Sequence, residues 1–205
     1  MVIVWDLIMG IYLNTDSYFD RLLEIFDEIK PTKVTITSYG FFVGIMPDGR
    51  DLKTTWKKFK SRARDFLEYI TDKTTVNVLV GLYAFDSCCK EHRCKDCESK
   101  YVTNLVRLVL HAEAFPMINW RISDTSHIKC VLMENKKSLD VKVVTGSRNF
   151  SDSTWTDISM DIDDFDNILE IREFLKKEWS NSMIVDNESI NHFLSKNKIE
   201  LYQDF

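Results

Sequence analysis

A histidine and a lysine two residues apart, His127-Ile-Lys129, and a run of small polar residues, Gly146-Ser147-Arg148-Asn149, carry the strongest chemical signal in this chain. A neutral imidazole can attack phosphorus, an ammonium can neutralise non-bridging oxygens, and hydroxyl and amide groups can hydrogen-bond them. On an extended strand, residues two apart face the same way, so His127 and Lys129 share a face. Glu134 follows on the same run. Asn135-Lys-Lys-Ser138 is turn-like, and Val141 to Thr145 is a short β-branched run. A hairpin over this stretch would return Gly146-Ser147-Arg148-Asn149 to the side of His127 and Lys129.

Written out, the pattern is His127-x-Lys129-x4-Glu134 followed by Gly146-Ser147-x-Asn149. It resembles the signature of the phospholipase D superfamily, H-x-K-x4-D followed by G-S-x-N, with Glu134 standing where that family has Asp. The resemblance implies an α/β fold, a mixed β-sheet flanked by helices with one motif per chain. It spans about residues 15–180 of a single domain, 1–205. It further implies phosphodiester chemistry, with His127 as a nucleophile that forms a covalent phosphohistidine. Lys129 and Asn149 would hold the non-bridging oxygens and Ser147 would support them by hydrogen bonding. Glu134 and Gly146 would be structural support. In the family an acid just before the strand that follows the second motif often hydrogen-bonds the catalytic histidine. Asp157 has that place here, with Asp152 and Asp161 as competitors.

The other histidines read His92-Arg-Cys, His111-Ala-Glu and His192-Phe-Leu, so none repeats the His-x-Lys pattern, and Gly-Ser-x-Asn occurs once. The chain carries half of a two-motif site. Family members of this length complete the site by pairing two copies about a two-fold axis, which implies a homodimer. The two lysines would supply the charge that a metal otherwise brings, so no cofactor is expected for catalysis and activity should survive a chelator.

The motif fixes reaction type and not substrate. A nuclease on DNA or RNA fits the small size, the single motif and the basic faces near Arg50 to Arg64 and Lys90 to Lys100. A phospholipid-cleaving enzyme would call for an amphipathic insertion helix, an anchor or a secretion signal, and none is read in the sequence. A non-catalytic nucleic-acid-binding module of the same fold would not need His127, Lys129, Ser147 and Asn149 together.

The chain has 205 residues, enough for one sizeable domain, with a formal net charge of −5. That balance argues against coating nucleic acid through overall charge, though a local basic groove is compatible with it. No apolar run reaches the length of a membrane span, and no basic segment precedes the Val2-Ile-Val-Trp5 run, so no membrane association or secretory leader is expected. Five cysteines is an odd number, and four of them crowd between Cys88 and Cys97. This is not a secreted disulfide framework, and a reducing cytoplasmic setting follows. Cys88, His92, Cys94 and Cys97 could form a tetrahedral structural zinc loop. The alternatives are free thiols or a redox-labile loop, and Cys89 leaves the ligand set open.

The elements that must position the motif alternate. Residues 1–13 are β-prone, as for an edge strand or an arm. Phe19 to Ile29 has helical spacing, with Asp16 or Ser17 as cap and Pro31 as stop. Lys33 to Ser38 alternates as a strand and runs on into an aromatic stretch, Tyr39 to Met46. Asp51 to Ile70 reads as a helix whose opposite face carries Lys53, Lys57, Lys58, Lys60, Arg62 and Arg64, a stripe that could track a phosphate backbone. Val76 to Leu82 and Met117 to Ile122 read as strands. Tyr101 to Ala114 reads as a helix on which His111 is a packed or surface residue rather than a ligand. Ile158 to Ile162 is a strand, Asp166 to Trp179 an amphipathic helix, and Ile190 to Leu194 a short terminal helix.

Overall fold

The computed structural model describes residues 11–12, 15–47, 56–81, 105, 107–123, 127–152 and 158–186. In chain order the elements are β1 (Ile11–Tyr12), α1 (Thr15–Ile29), β2 (Lys33–Ser38), β3 (Ile45–Pro47), β4 (Trp56–Lys58), α2 (Arg62–Thr71) and β5 (Thr75–Gly81). A helix over 107–114, α3, follows. Then come β6 (Asn119–Ser123), β7 (Cys130–Glu134), β8 (Val141–Gly146), β9 (Ser159–Ile162), α4 (Phe165–Asn181) and β10 (Met183–Ile184).

Among the described residues, eight strands form one mixed sheet in the order β1-β9-β8-β7-β2-β5-β6-β10, and β3 and β4 make a separate ribbon. β2, β5 and β6 run parallel, while the hairpin β7-β8 and then β9 and β1 add antiparallel beyond β2. The helices α1, α2 and α3 cover one face, where Phe19, Leu22, Phe66, Leu67 and Leu108 meet Val34, Ile36, Val78 and Val131. Helix α4 covers the other, where Ile168 and Leu175 meet Cys130, Leu132 and Val143. The period-two alternation of β2 and β7 thus feeds two layers, and β7 is buried along its whole length.

Local rules explain the boundaries. In α1 the buried residues Tyr18, Phe19, Leu22, Ile25, Phe26 and Ile29 recur at helical spacing. The helix stops because Lys30 adopts a left-handed φ of 47° and Pro31 cannot continue it. The β-prone N-terminal arm does supply an edge strand, β1, paired to β9.

Two expectations are corrected. The helix read over 51–70 begins only at Arg62, and Trp56–Lys58 is strand. Ser61 is extended, with φ −152° and ψ 121°, and its side chain accepts from Arg64 N at 3.1 Å, which caps the helix there. Phe59 N donates to Gly44 O at 2.7 Å, which holds the preceding segment against β3. The helical spacing of Trp56 and Phe59 with Ala63 was therefore coincidental. Secondly, His127 to Lys129 are not themselves strand, since β7 begins at Cys130. The segment Ile190 to Leu194 lies outside the described residues. No helix among the described residues is long and apolar enough to cross a membrane.

Candidate active site

Strand direction alone gathers the motif. β2 ends at Ser38, its antiparallel neighbour β7 begins at Cys130, β8 ends at Gly146, and β9 begins at Ser159 opposite Gly146. These four termini lie at one end of the sheet. His127 and Lys129 lead into β7, and Ser147 to Asn149 lead out of β8, so both halves of the motif meet there.

Backbone hydrogen bonds fix the approach. Lys129 O accepts from Gly146 N at 3.3 Å and from Thr145 Oγ1 at 2.9 Å. Ser147 N donates to Ile158 O at 2.9 Å, and Ser147 Oγ accepts from Ile158 N at 3.1 Å. This pairing leaves no room at Gly146, where an added Cβ would lie 2.0 Å from Ile158 O and 2.8 Å from Ser159 Cα. Glycine is required here by close backbone approach.

Asn149 is half-buried and its Oδ1 accepts from Gly40 N at 2.9 Å. That bond orients the amide, because only the oxygen can face an N–H, and leaves Nδ2 as the donor end of the side chain. The next residue locks the loop. Phe150 N donates to Ser38 Oγ at 2.8 Å, Phe42 N donates to Phe150 O at 3.1 Å, and the Phe150 ring stacks on Phe41 at 5.0 Å between centroids.

His127 is exposed and Lys129 half-buried. The His127 ring packs on Tyr39, with centroids 4.6 Å apart and planes 40° apart, and Lys129 Nζ lies 5.9 Å from the centre of the same ring. A cation over an aromatic face is attracted by its quadrupole, so the Tyr39 ring is a shared platform for the lysine and for a protonated His127. Sequence reasoning missed Tyr39. Its signal was present in Ser38-Tyr39-Gly40, an aromatic residue and a turn residue at the end of a buried strand. Cys130, the next residue into β7, is no rival nucleophile. Burial pushes its thiol up to about 11, against the opposing hydrogen bond from Thr37, and thiolate is scarce at neutral pH.

The remaining expected residues are distributed elsewhere or lie outside the described residues. Asp157 lies outside. Of its competitors, Asp152 Oδ1 accepts from Arg62 N at 2.8 Å and Ala63 N at 3.3 Å, at the start of α2, and Asp161 Oδ2 pairs with Arg21 at 2.9 Å. Glu134 sits at the far end of β7, where it pairs with Arg172 at 2.9 Å and Lys33 at 3.4 Å. The basic stripe does not form as one helical face. Lys57 and Lys58 are on β4, Arg62 pairs with Asp16 and Asp20, and Arg64 pairs with Glu68 at 3.6 Å. Lys60 is exposed just before α2. Lys53 lies outside the described residues, as do Cys88, His92, Cys94 and Cys97.

Comparison with solved structures places this architecture. NucT from Helicobacter pylori superposes with a TM-score of 0.50 at 14% identity, covering 86% of this chain and 98% of that one. The phosphatidylserine synthase of Haemophilus influenzae superposes with a TM-score of 0.54 at 14% identity, covering 86% of this chain and 39% of that one. The chain has the phospholipase D fold. Nuc of Salmonella typhimurium, a phospholipase D family member, gives a TM-score of 0.46 at 12% identity over 86% of this chain and 97% of its own. No protein-family model matches the sequence, and no curated protein matches it. Within the phospholipase D fold, the resemblance first read from two short motifs therefore rests on three-dimensional arrangement as well as on spacing.

Proposed function

We propose that the chain is a metal-independent phosphodiesterase, an endonuclease on DNA or RNA, whose site is shared across a homodimer. The observation that carries this reading is the convergence of His127, Lys129, Ser147 and Asn149 on one end of a phospholipase D-type sheet.

In the first step a lone pair of the His127 ring attacks phosphorus and forms the P–N bond. The bond to the leaving oxygen breaks, and the partner copy's protonated imidazole gives that oxygen its proton. In the second step the same partner ring, now neutral, takes a proton from water. The water oxygen bonds phosphorus, the P–N bond breaks, and the nitrogen keeps the electron pair. Two identical rings can differ in role because the bound substrate breaks the two-fold symmetry. Lys129 and the Asn149 amide, from both copies, would neutralise and hydrogen-bond the non-bridging oxygens as charge builds in the transition state. Ser147 holds the loop through Ile158. Asp157 would orient His127 through its other ring nitrogen.

A nucleic-acid substrate is favoured over a lipid by the single motif in a chain of this size. The test is cleavage of single- and double-stranded DNA, RNA and short-chain phosphatidylcholine, with and without EDTA. Expected are nucleic-acid cleavage insensitive to EDTA, loss of cleavage in His127→Ala with dimerisation kept, and a trapped phosphohistidine on labelled substrate. Binding without cutting would favour a non-catalytic module. Cleavage of lipid alone would favour a phospholipase.

A further inference from the structure

The opposite end of the sheet carries a second feature. β2 spans six residues, so Lys33 at its start lies roughly 16 Å from Ser38 at its end. There, between α4 and the sheet, is a cavity of about 530 Å³. Small-molecule sites typically run from ~300 to ~1,000 Å³, so this space is of nucleotide size and well beyond a lone phosphate.

Its chemistry is unusual for the inside of a sheet-helix layer. Where α4 meets the sheet, the layer is apolar at Leu132 of β7 and Leu175 of α4 but polar at Thr35 of β2, which also lines the cavity. Thr35 is 5% exposed, and its Oγ1 has no hydrogen-bond partner among the described residues. The rim is cationic. Lys33, Lys136, Arg172 and Lys176 line the space against two carboxylates, Glu134 and Glu173. Glu134 is shared by Lys33 and Arg172, Glu173 meets Lys176 at 3.7 Å, and Lys136 has no ion pair among the described residues. Four cations against two anions leave a local excess of two positive charges in a chain whose net charge is −5. Trp179 closes the side, its ring 5.0 Å from the Arg121 guanidinium.

We propose that this cavity binds a small phosphate-bearing molecule of nucleotide size, its phosphate held by Lys33, Lys136 and Lys176 and its uncharged part lying over Thr35 and Trp179. Helix α4 supplies one wall of the space, whose volume suits a compact ligand rather than a continuous polynucleotide. The cationic rim supplies charge-assisted hydrogen bonds to phosphate. The site is separate from His127, so it stands or falls independently of the phosphodiesterase reading.

The experiment is calorimetric titration of the full chain with ADP and, separately, with pyrophosphate and with a short single-stranded oligonucleotide. Each is repeated on His127→Ala and on Lys136→Gln/Lys176→Gln. Expected are an ADP Kd tighter than ~1 mM at low salt, unchanged in His127→Ala. It should weaken at least tenfold in the double lysine variant. The lysines are at the surface, so their replacement leaves the fold intact, and a circular dichroism melt checks this. The proposal is overturned if ADP gives no saturable heat, or if its binding is lost in His127→Ala. It is also overturned if binding is undiminished in the lysine variant, or if only the oligonucleotide responds to that variant.

Discussion

Acidification should destabilise this fold through one buried ring, His111. The residue lies on α3 with no exposed surface, between Phe41, Phe42 and Trp120, whose rings are 6.1 to 6.5 Å away. Neither ring nitrogen has a hydrogen-bond partner among the described residues. Burial pushes its pKa down to about 4, the Phe41 backbone partly opposes this without reaching full hydrogen-bond geometry, and the Arg107 guanidinium adds to the depression. The unfolded chain binds the proton near pH 6.5 and the folded chain only near 4, so the unfolded state holds more protons between those values and stability rises with pH there. The contribution is complete above about pH 6.5 and is lost as pH falls toward 4. At ~1.4 kcal/mol per pH unit, the loss is about 2 kcal/mol by pH 5 and about 3 kcal/mol by pH 4. Urea denaturation from pH 7.5 to 4.5 measures it, and His111→Leu isolates it, because the carboxylates that also titrate remain in both proteins. Wild type should lose stability faster than His111→Leu across that window. Parallel curves would refute the assignment of a neutral, unsolvated imidazole.

Three further perturbations test the site and its frame. Gly146→Ala should cost about 3 kcal/mol in a urea titration, because the new Cβ would meet Ile158 O at 2.0 Å; a neutral result would mean β8 and β9 separate freely there. Tyr39→Leu should lower kcat of nucleic-acid cleavage about 10- to 100-fold with little change in KM, since it removes the ring against which His127 packs; unchanged kcat would make Tyr39 a bystander. Glu134→Ala should cost only about 1 to 2 kcal/mol and leave kcat intact, because its partners Lys33 and Arg172 stay partly in water. A large fall in kcat would place Glu134 in the chemistry.

What could be read from the sequence depended on how local the cause was. β2 appeared with its observed bounds because Val34 and Ile36 alternate with threonines, and α1 because Phe19, Leu22, Leu23, Phe26 and Ile29 recur at helical spacing before Pro31. The hairpin was legible because a turn and the β-branched run from Val141 to Thr145 are short-range facts. The start of α2 was not. Helical spacing ran through Trp56 and Phe59, and the cap that overrides it comes partly from Asp152, ninety residues away in sequence. The platform under His127 was illegible for the same reason. Tyr39 is placed there only because β2 pairs with β7, with Thr37 opposite Cys130. Motif spacing revealed which side chains assemble, while tertiary pairing decided what they rest on.

The acid of the motif, Glu134, shows what its spacing encodes. β7 runs from Cys130 to Glu134, all five residues buried, so Lys129 and Glu134 stand at its two ends. At ~3.3 Å per residue they are about 16 Å apart, too far for the carboxylate to act on a phosphate held by Lys129. The interval x4 therefore measures one strand crossing the core. The acid fixes the far end by joining Lys33 of β2 to Arg172 of α4. Glutamate has one methylene more than aspartate and so more reach toward α4. The departure from aspartate thus bears on how α4 is held to the sheet and leaves the geometry at His127 to the loops at the other end.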